Sequence, residues 1–174
     1  MPRFTLRPFV FDDLDKHAQI LSDPLVTRYL PRGPIAPQDA RSVSTRVLAH
    51  FIDHWRRHGF GAWAVVDRTT RELLGQCGLN YLPDDPEVEV LYLLRRSAWG
   101  RGIATEAARF SLKYGFREAD LARIVGITMP ENVASQRVLE KCGLRYEKDG
   151  AFYGVRARYF ALDRPEQRPA RTSG

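Results

Sequence analysis

The chain has 174 residues, 44% of them apolar and 28% charged, and its 27 lysines and arginines outnumber 21 aspartates and glutamates for a net charge of +6. That length suits one domain whose core holds without metal or disulfide staples, and the composition is that of an ordinary globular protein. No apolar run reaches the roughly 20 residues of a membrane span, and MPRFTLRPFV lacks the apolar core and cleavage site of a signal peptide, so a cytoplasmic protein without membrane partners is expected.

FTLRPFV, Phe4 to Val10, alternates like a strand, and FDDLDKHAQILSD follows as a short amphipathic helix for which Asp12 is the natural N-cap. Ser22 to Pro37 carries four prolines and one glycine, which predicts a short helical turn and then a surface loop placed to cover a pocket. Gln38 to Arg57 reads as a helix with Val43, Val47, Phe51 and Trp55 as its apolar stripe. GAWAVVDR and ELLGQCGLNYL form a hairpin, and VEVLYLLRR, Val88 to Arg96, is apolar on both faces over its centre, as an interior strand is.

From Arg101 to Arg117 a helix is predicted with Ile103, Ala107, Phe110 and Tyr114 on its apolar face. LARIVGITM is the next strand, ENVASQRVLEKCG a second helix ended by Gly143, and LRYEKDG and AFYGVRARYFAL two closing strands. Residues 1–163 are thus expected to form a single domain, and DRPEQRPARTSG, with 164–174 beyond the last strand, a disordered tail.

The junction WGRGIATEAARF sets two glycines directly against a helix-forming run. Amides of a first helical turn lack intrahelical partners and the helix dipole is positive there, so an anion such as phosphate is favoured, with Arg101 adding a charge-assisted contact. Gly100 and Gly102 let backbone approach phosphate oxygens closely, although a tight reversal of the chain would need the same glycines. Thr105 stands where a dinucleotide-binding G-x-G-x-x-G would have its third glycine, and no G-K-S/T follows, which disfavours a dehydrogenase or a nucleotide triphosphatase.

The 23 arginines are spread along the chain with no basic block or zinc-finger spacing, so no specific nucleic-acid partner is expected. Cys77 and Cys142 each sit in an apolar stretch and read as reduced thiols. His50, His54 and His58 recur every four residues, a spacing that serves either a zinc pair or a solvent-facing basic stripe; with no cysteine or Glu-x-x-His beside them, no metal site is expected.

AWGRGIATEAARFSLKYGF resembles the acetyl-CoA pyrophosphate loop and following helix of the GCN5-related N-acetyltransferases (GNAT), in particular the RimJ/RimL-like group that modifies ribosomal-protein N-termini. Trp99-Gly100-Arg101-Gly102-Ile103-Ala104 follows that group's variant, with tryptophan in place of the superfamily's Gln/Arg. PENVASQRVLEKCGLRYE is similar to the group's P-x-N-x-x-S-x-x-V-x-E-K-x-G-F segment, and FTLRPFVFDDL with SDPLVTRYLP to its opening and its aspartate-proline element. The ordered matches run from about residue 3 to 162.

The resemblance implies an α+β (mixed α/β) GNAT fold: a twisted, mostly antiparallel seven-stranded sheet splayed between strands 4 and 5, with helices on both faces. It implies acetyl-CoA as co-substrate, held by Tyr92 and Leu94 through their main chains, by Trp99, Gly100, Arg101, Gly102, Ile103, Ala104 and Thr105 at the loop, and by Asn132 and Ser135. The side chains of Tyr92 and Leu94 are then ordinary core.

Glu89 falls where the group carries an acidic residue, and a buried carboxylate there could act as general base; equally, Glu87 and Glu89 could share a solvated face. Leu139 occupies the slot of the tyrosine that many relatives use toward the leaving thiolate, and Leu91 that of a glycine; the resemblance implies Ser135, one turn after Asn132, as the donor to sulfur, while a solvated helical serine is the alternative for Ser135 and a helix N-cap for Asn132. The implied activity is direct transfer of acetyl to a primary amine. A protein N-terminal α-amine is one acceptor; a polyamine, an aminoglycoside or an amino acid are others, with a homodimer among the compatible assemblies. A silent acyl-CoA-binding module is the alternative of another class.

Overall fold

In a computed structural model, which describes residues 2–166, one seven-stranded sheet carries the domain. Its strands are β1 (Phe4–Pro8), β2 (Ala62–Asp67), β3 (Leu73–Tyr81), β4 (Val88–Leu94), β5 (Arg123–Thr128), β6 (Arg145–Phe152) and β7 (Val155–Asp163). They lie in the order β1-β2-β3-β4-β5-β7-β6, every pair antiparallel except β4–β5. Helices α1 (Leu14–Leu21), α2 (Pro24–Thr27), α3 (Ala40–His58), α4 (Ile103–Arg117) and α5 (Val133–Lys141) complete it.

Strand β4 is the interior strand that its continuous apolar pattern predicts, and its alternation assigns the helices to faces. Val88, Val90, Tyr92 and Leu94 pack with α4 and α5, through Ile103, Ala107, Leu112 and Leu139; Leu91 and Leu93 face the opposite cluster, built from Ile20 of α1 and Leu48 and Phe51 of α3. Helices therefore cover both faces, and one strand separates two differently lined chambers.

Several predicted details shift, each for a physical reason. Asp13 rather than Asp12 organises the turn before α1: it is buried, accepts from Val10 N–H (3.1 Å), and pairs bidentately with Arg7 (2.7 and 2.8 Å). The buried row of α3 is Ala40, Ser44, Leu48, Phe51 and His54, not the one centred on Val43 and Val47, because α3 lies against α1 through small residues and the Ser44 hydroxyl bonds His17 (2.6 Å). In α4 the buried face runs through Ala107, Ala108, Ser111 and Leu112, leaving Phe110 half exposed against Trp63.

His54 leaves the proposed solvent-facing stripe altogether. It is buried, its Nδ1–H donating to the Phe60 carbonyl (2.8 Å) while Nε2 accepts from Tyr81 N–H (3.3 Å), and burial holds it below the usual histidine range and so neutral. The β6–β7 turn falls at Tyr153–Gly154, three residues later than the sequence boundary suggests. Arg164 is tied to Leu121 and Ala122 carbonyls (both 2.8 Å), and residues 167–174 of the expected tail lie outside the described residues.

Candidate active site

Beyond Leu94 the chain makes one 3₁₀ turn, Arg96–Ala98, and doubles back, the Trp99 indole N–H donating to the Leu94 carbonyl (2.8 Å). Gly100 (φ +68°) and Gly102 (φ +77°) then occupy the left-handed region, and a Cβ at either would meet nothing within 4 Å. Glycine is therefore required by backbone conformation, not by lack of room. Buried Ile103 anchors the start of α4 on the core, while Arg101 and Gly102 are exposed. The amides of Ile103, Ala104 and Thr105 have no carbonyl one turn earlier to pair with, and Glu106 N–H makes the first bond of the turn, to Gly102 (3.0 Å). Unpaired amides, a dipole's positive end and the Arg101 charge converge here, an arrangement that suits an anion.

Immediately beside this loop the sheet opens. Strands β4 and β5 share one registered pair, Glu89 with Val125, and diverge toward the loop end. Beside the gap a side chain of β4 reaches α5: the Tyr92 hydroxyl lies 2.9 Å from Ser135 Oγ and 3.0 Å from the Ser135 carbonyl. Tyr92 is thus more than the ordinary core residue expected of it, and burial pushes its phenol above the usual tyrosine range, keeping it protonated. When it donates to Ser135 Oγ, the serine proton is free to point into the gap. Asn132 caps α5 by accepting Ser135 N–H (3.2 Å), which fixes the hydroxyl's position on the first turn.

Glu89 stands on the other face of β4. It is 5% exposed, so the solvated alternative does not hold, and burial pushes its carboxyl up to about 8. Its hydrogen-bond donor is Tyr153, at the tip of the β6–β7 hairpin. Glu87, two residues earlier, belongs to a separate cluster, accepting from the Tyr159 hydroxyl (2.5 Å) beside Arg123.

The structure therefore brings together Tyr92, Ser135 and Asn132, and joins Leu94 to Trp99 at the glycine loop; it does not bring Glu89 to Ser135, which lies across the strand. Leu139 is fully buried against Gly126 and takes no part. Two contributors escape sequence reasoning: the Tyr92 hydroxyl, read only for its backbone, and Tyr153, read only as part of a closing strand. A separate groove of about 750 Å³ between α1, α2 and the end of β4 is lined in part by Lys16, Arg95 and Arg96, with Asp23 and Glu72 paired to the two arginines.

A family model described as an acetyltransferase (GNAT) domain matches residues 3–145. The uncharacterized protein YkkB of Bacillus subtilis is 40% identical over 93 residues, so that the match spans about half of either chain (52% and 54%). The uncharacterized N-acetyltransferase p20 of Bacillus licheniformis is 31% identical over 150 residues, 85% of this chain and 81% of that one. Among solved structures, an acetyltransferase from Agrobacterium tumefaciens superimposes with a TM-score of 0.80 at 28% identity, covering 92% of this chain and 90% of its own. RimL, described as a ribosomal L7/L12 α-N-protein acetyltransferase in complex with coenzyme A, gives 0.77 at 17% identity over 94% and 95%, a likeness of fold alone.

Proposed function

The chain belongs to the GNAT acetyltransferase family, and from that premise we propose that it transfers acetyl from acetyl-CoA directly to a primary amine, most simply a peptide N-terminal α-amine. The observation that carries the reading is the opening between β4 and β5 after a single registered pair, continuous with the Gly100–Gly102 loop and flanked by an acid and a base on opposite faces of one strand. The loop amides and Arg101 match a pyrophosphate, and Asn132 with the edge of β4 left unpaired toward β5 matches an amide-bearing arm. When bound, acetyl-CoA supplies a thioester carbonyl for attack.

The protein's own share is proton management. A reactive amine is neutral and must lose a proton as its nitrogen bonds to carbon; the Glu89 carboxylate, with a pKa raised toward neutrality, takes it. Sulfur departing as thiolate needs a hydrogen bond or a proton, which Ser135 supplies with Tyr92 behind it. An α-amine, with an ordinary pKa near ~8, suits such a base better than a lysine near ~10.4, because both partners reach the required state at one pH. That match, together with the RimJ/RimL-like motifs, supports a peptide N-terminus over a polyamine or an aminoglycoside.

Thiol release from acetyl-CoA, measured against a panel of N-terminal peptides, polyamines, aminoglycosides and amino acids, tests both activity and acceptor. Fastest turnover on peptides is expected. Coenzyme binding without turnover on any acceptor would make the protein a silent acyl-CoA-binding module instead.

A further inference from the structure

Tyr153 is held in an uncommon conformation. It and Gly154 form the hairpin tip with φ values of +53° and +76°, and a bulky residue at positive φ is a strained choice that the surrounding structure must maintain. The hairpin does not extend away from the sheet: Phe152 stacks on Tyr159 (ring centroids 5.5 Å apart, 25° between planes), which folds the tip back over the sheet and carries the Tyr153 hydroxyl to Glu89 Oε1. Among the described residues no other hydrogen bond reaches that carboxylate.

Tyr153 is nonetheless 38% exposed, whereas the carboxylate it covers is buried. The ring is therefore a cover with water on its outer side, seated on the atom that the reaction needs. A phenol donates one hydrogen bond to a carboxylate, and so does a neutral amine; the two compete for one place, and each such bond to a charged acceptor is strong enough to matter.

We propose that the Tyr153 hydroxyl is a place-holder for the acceptor nitrogen: the β6–β7 tip caps Glu89 in the resting protein, and the incoming amine displaces it to make the same hydrogen bond. The inference rests on the acetyltransfer reading above and adds the position of the acceptor to it. Capping gives the buried carboxylate a partner before substrate arrives, and displacement selects acceptors slim enough to pass beneath the tip. The hydroxyl takes no part in bond making. Tyr153 is on this account a positioning and specificity-determining residue.

Tyr153→Phe removes the hydroxyl and keeps the ring. At about pH 9.5, where Glu89 is ionised in both proteins, the acceptor KM should fall about three- to tenfold, with kcat and the acetyl-CoA KM within about twofold of wild type. A second reading needs no turnover. The pH dependence of unfolding, taken as the difference between a protein with Glu89 and the same protein with Glu89→Gln, reports the carboxyl's titration, which Tyr153→Phe should move up by about one pH unit.

Groups facing Glu89 in this titration are Asn80 across β3, itself bonded to His50 of α3 (2.7 Å), Val125 of β5 and Tyr153; Glu87 is already paired. An unshifted titration, an unchanged acceptor KM, or a loss of kcat at constant KM each overturns the proposal. The failures separate: no thiol release by wild type with any acceptor sinks the acetyltransfer reading and this proposal together, whereas turnover with an unaltered Tyr153→Phe KM sinks the proposal alone.

Discussion

Glu89→Gln replaces a buried carboxyl by a neutral group of the same shape, and it should change stability and rate in opposite senses. Burial raises this carboxyl from the ordinary 4.5 to about 8. A carboxyl whose pKa is higher folded than unfolded binds its proton more readily in the native state, so its contribution to stability is complete below about 4.5 and is lost as pH rises through about 8. At about 1.4 kcal/mol per pH unit, that gap amounts to on the order of 4–5 kcal/mol lost between pH 4 and 9. Glutamine has no proton to lose and still accepts from Tyr153 through its carbonyl oxygen. The variant should therefore match or fall below wild type at pH 4.5 and exceed it by several kcal/mol at pH 9.

Rate should move the other way. Without the base, kcat/KM should fall by about 10²–10⁴, and of the two overlapping ionisations near ~8 in its pH profile only that of the acceptor amine should remain. Urea unfolding at five pH values and thiol release across the same range measure both. His17 and His54, which burial holds neutral, weaken the protein as pH falls below about 6.5, so the comparison must be made as a difference between the two proteins at each pH. A stability difference that stays flat from pH 4 to 9 would refute the account of a buried, upshifted carboxyl, and an unaltered kcat/KM would refute its role as base.

Gly102→Asp should weaken acetyl-CoA binding by at least tenfold by calorimetry while Gly102→Asn, which also tolerates positive φ, costs much less; equal losses would mean that geometry and not charge repulsion is being read. Ser135→Ala should lower kcat about tenfold with little change in acetyl-CoA affinity, and Tyr92→Phe should lower it less, both by thiol release; an effect confined to KM would remove them from the chemistry. Asp13→Ala should destabilise by about 2–3 kcal/mol in urea at pH 7, since it strips a half-exposed Arg7 and the Val10 N–H of their buried partner. The Asp13 carboxyl is desolvated by burial, but its bonds to Arg7 and Val10 outweigh that and hold it below the ordinary 3.8; the stability it supplies is present above that value and fades as pH falls beneath it.

What could be read in the sequence is what rests on short-range causes. The apolar run of β4, the proline-rich stretch that becomes α2 and a loop, and the glycine junction before α4 all declare themselves within a dozen residues, because strand burial, proline sterics and positive φ are local constraints. The apolar stripe of α3 is out of phase with its buried row because burial there is decided by α1: small Ala40 and polar Ser44 are inside, the latter as a partner for His17, and no hydrophobicity pattern marks a hydroxyl as core. The site divides likewise. Its anion-binding half is contiguous in sequence, whereas Tyr92 meets Ser135 across 43 residues and Glu89 meets Tyr153 across 64, pairings that exist only once the sheet order and the folded-back hairpin are known.

That separation has a chemical use in the proposed reaction. The base must be ionised at the moment that the donor to sulfur is protonated, and a donor bonded directly to the base would not be free to turn to sulfur. Glu89 and Tyr92 are three residues apart on one strand, about 10 Å along it, and project from opposite faces. Burial acts on both in the same direction, raising both pKa values, yet the outcomes differ because the starting points do: the carboxyl arrives at about 8, where it exchanges protons readily, and the phenol moves out of the range in which it ionises at all. In the opening between β4 and β5, where nitrogen and sulfur meet on one carbon, a proton leaves the amine toward the α1–α3 side and a hydrogen bond reaches sulfur from the α4–α5 side. A swap that set the carboxylate on the even-numbered face, such as Glu89→Leu with Val90→Glu, should then abolish turnover even though it shifts the carboxyl by one residue only.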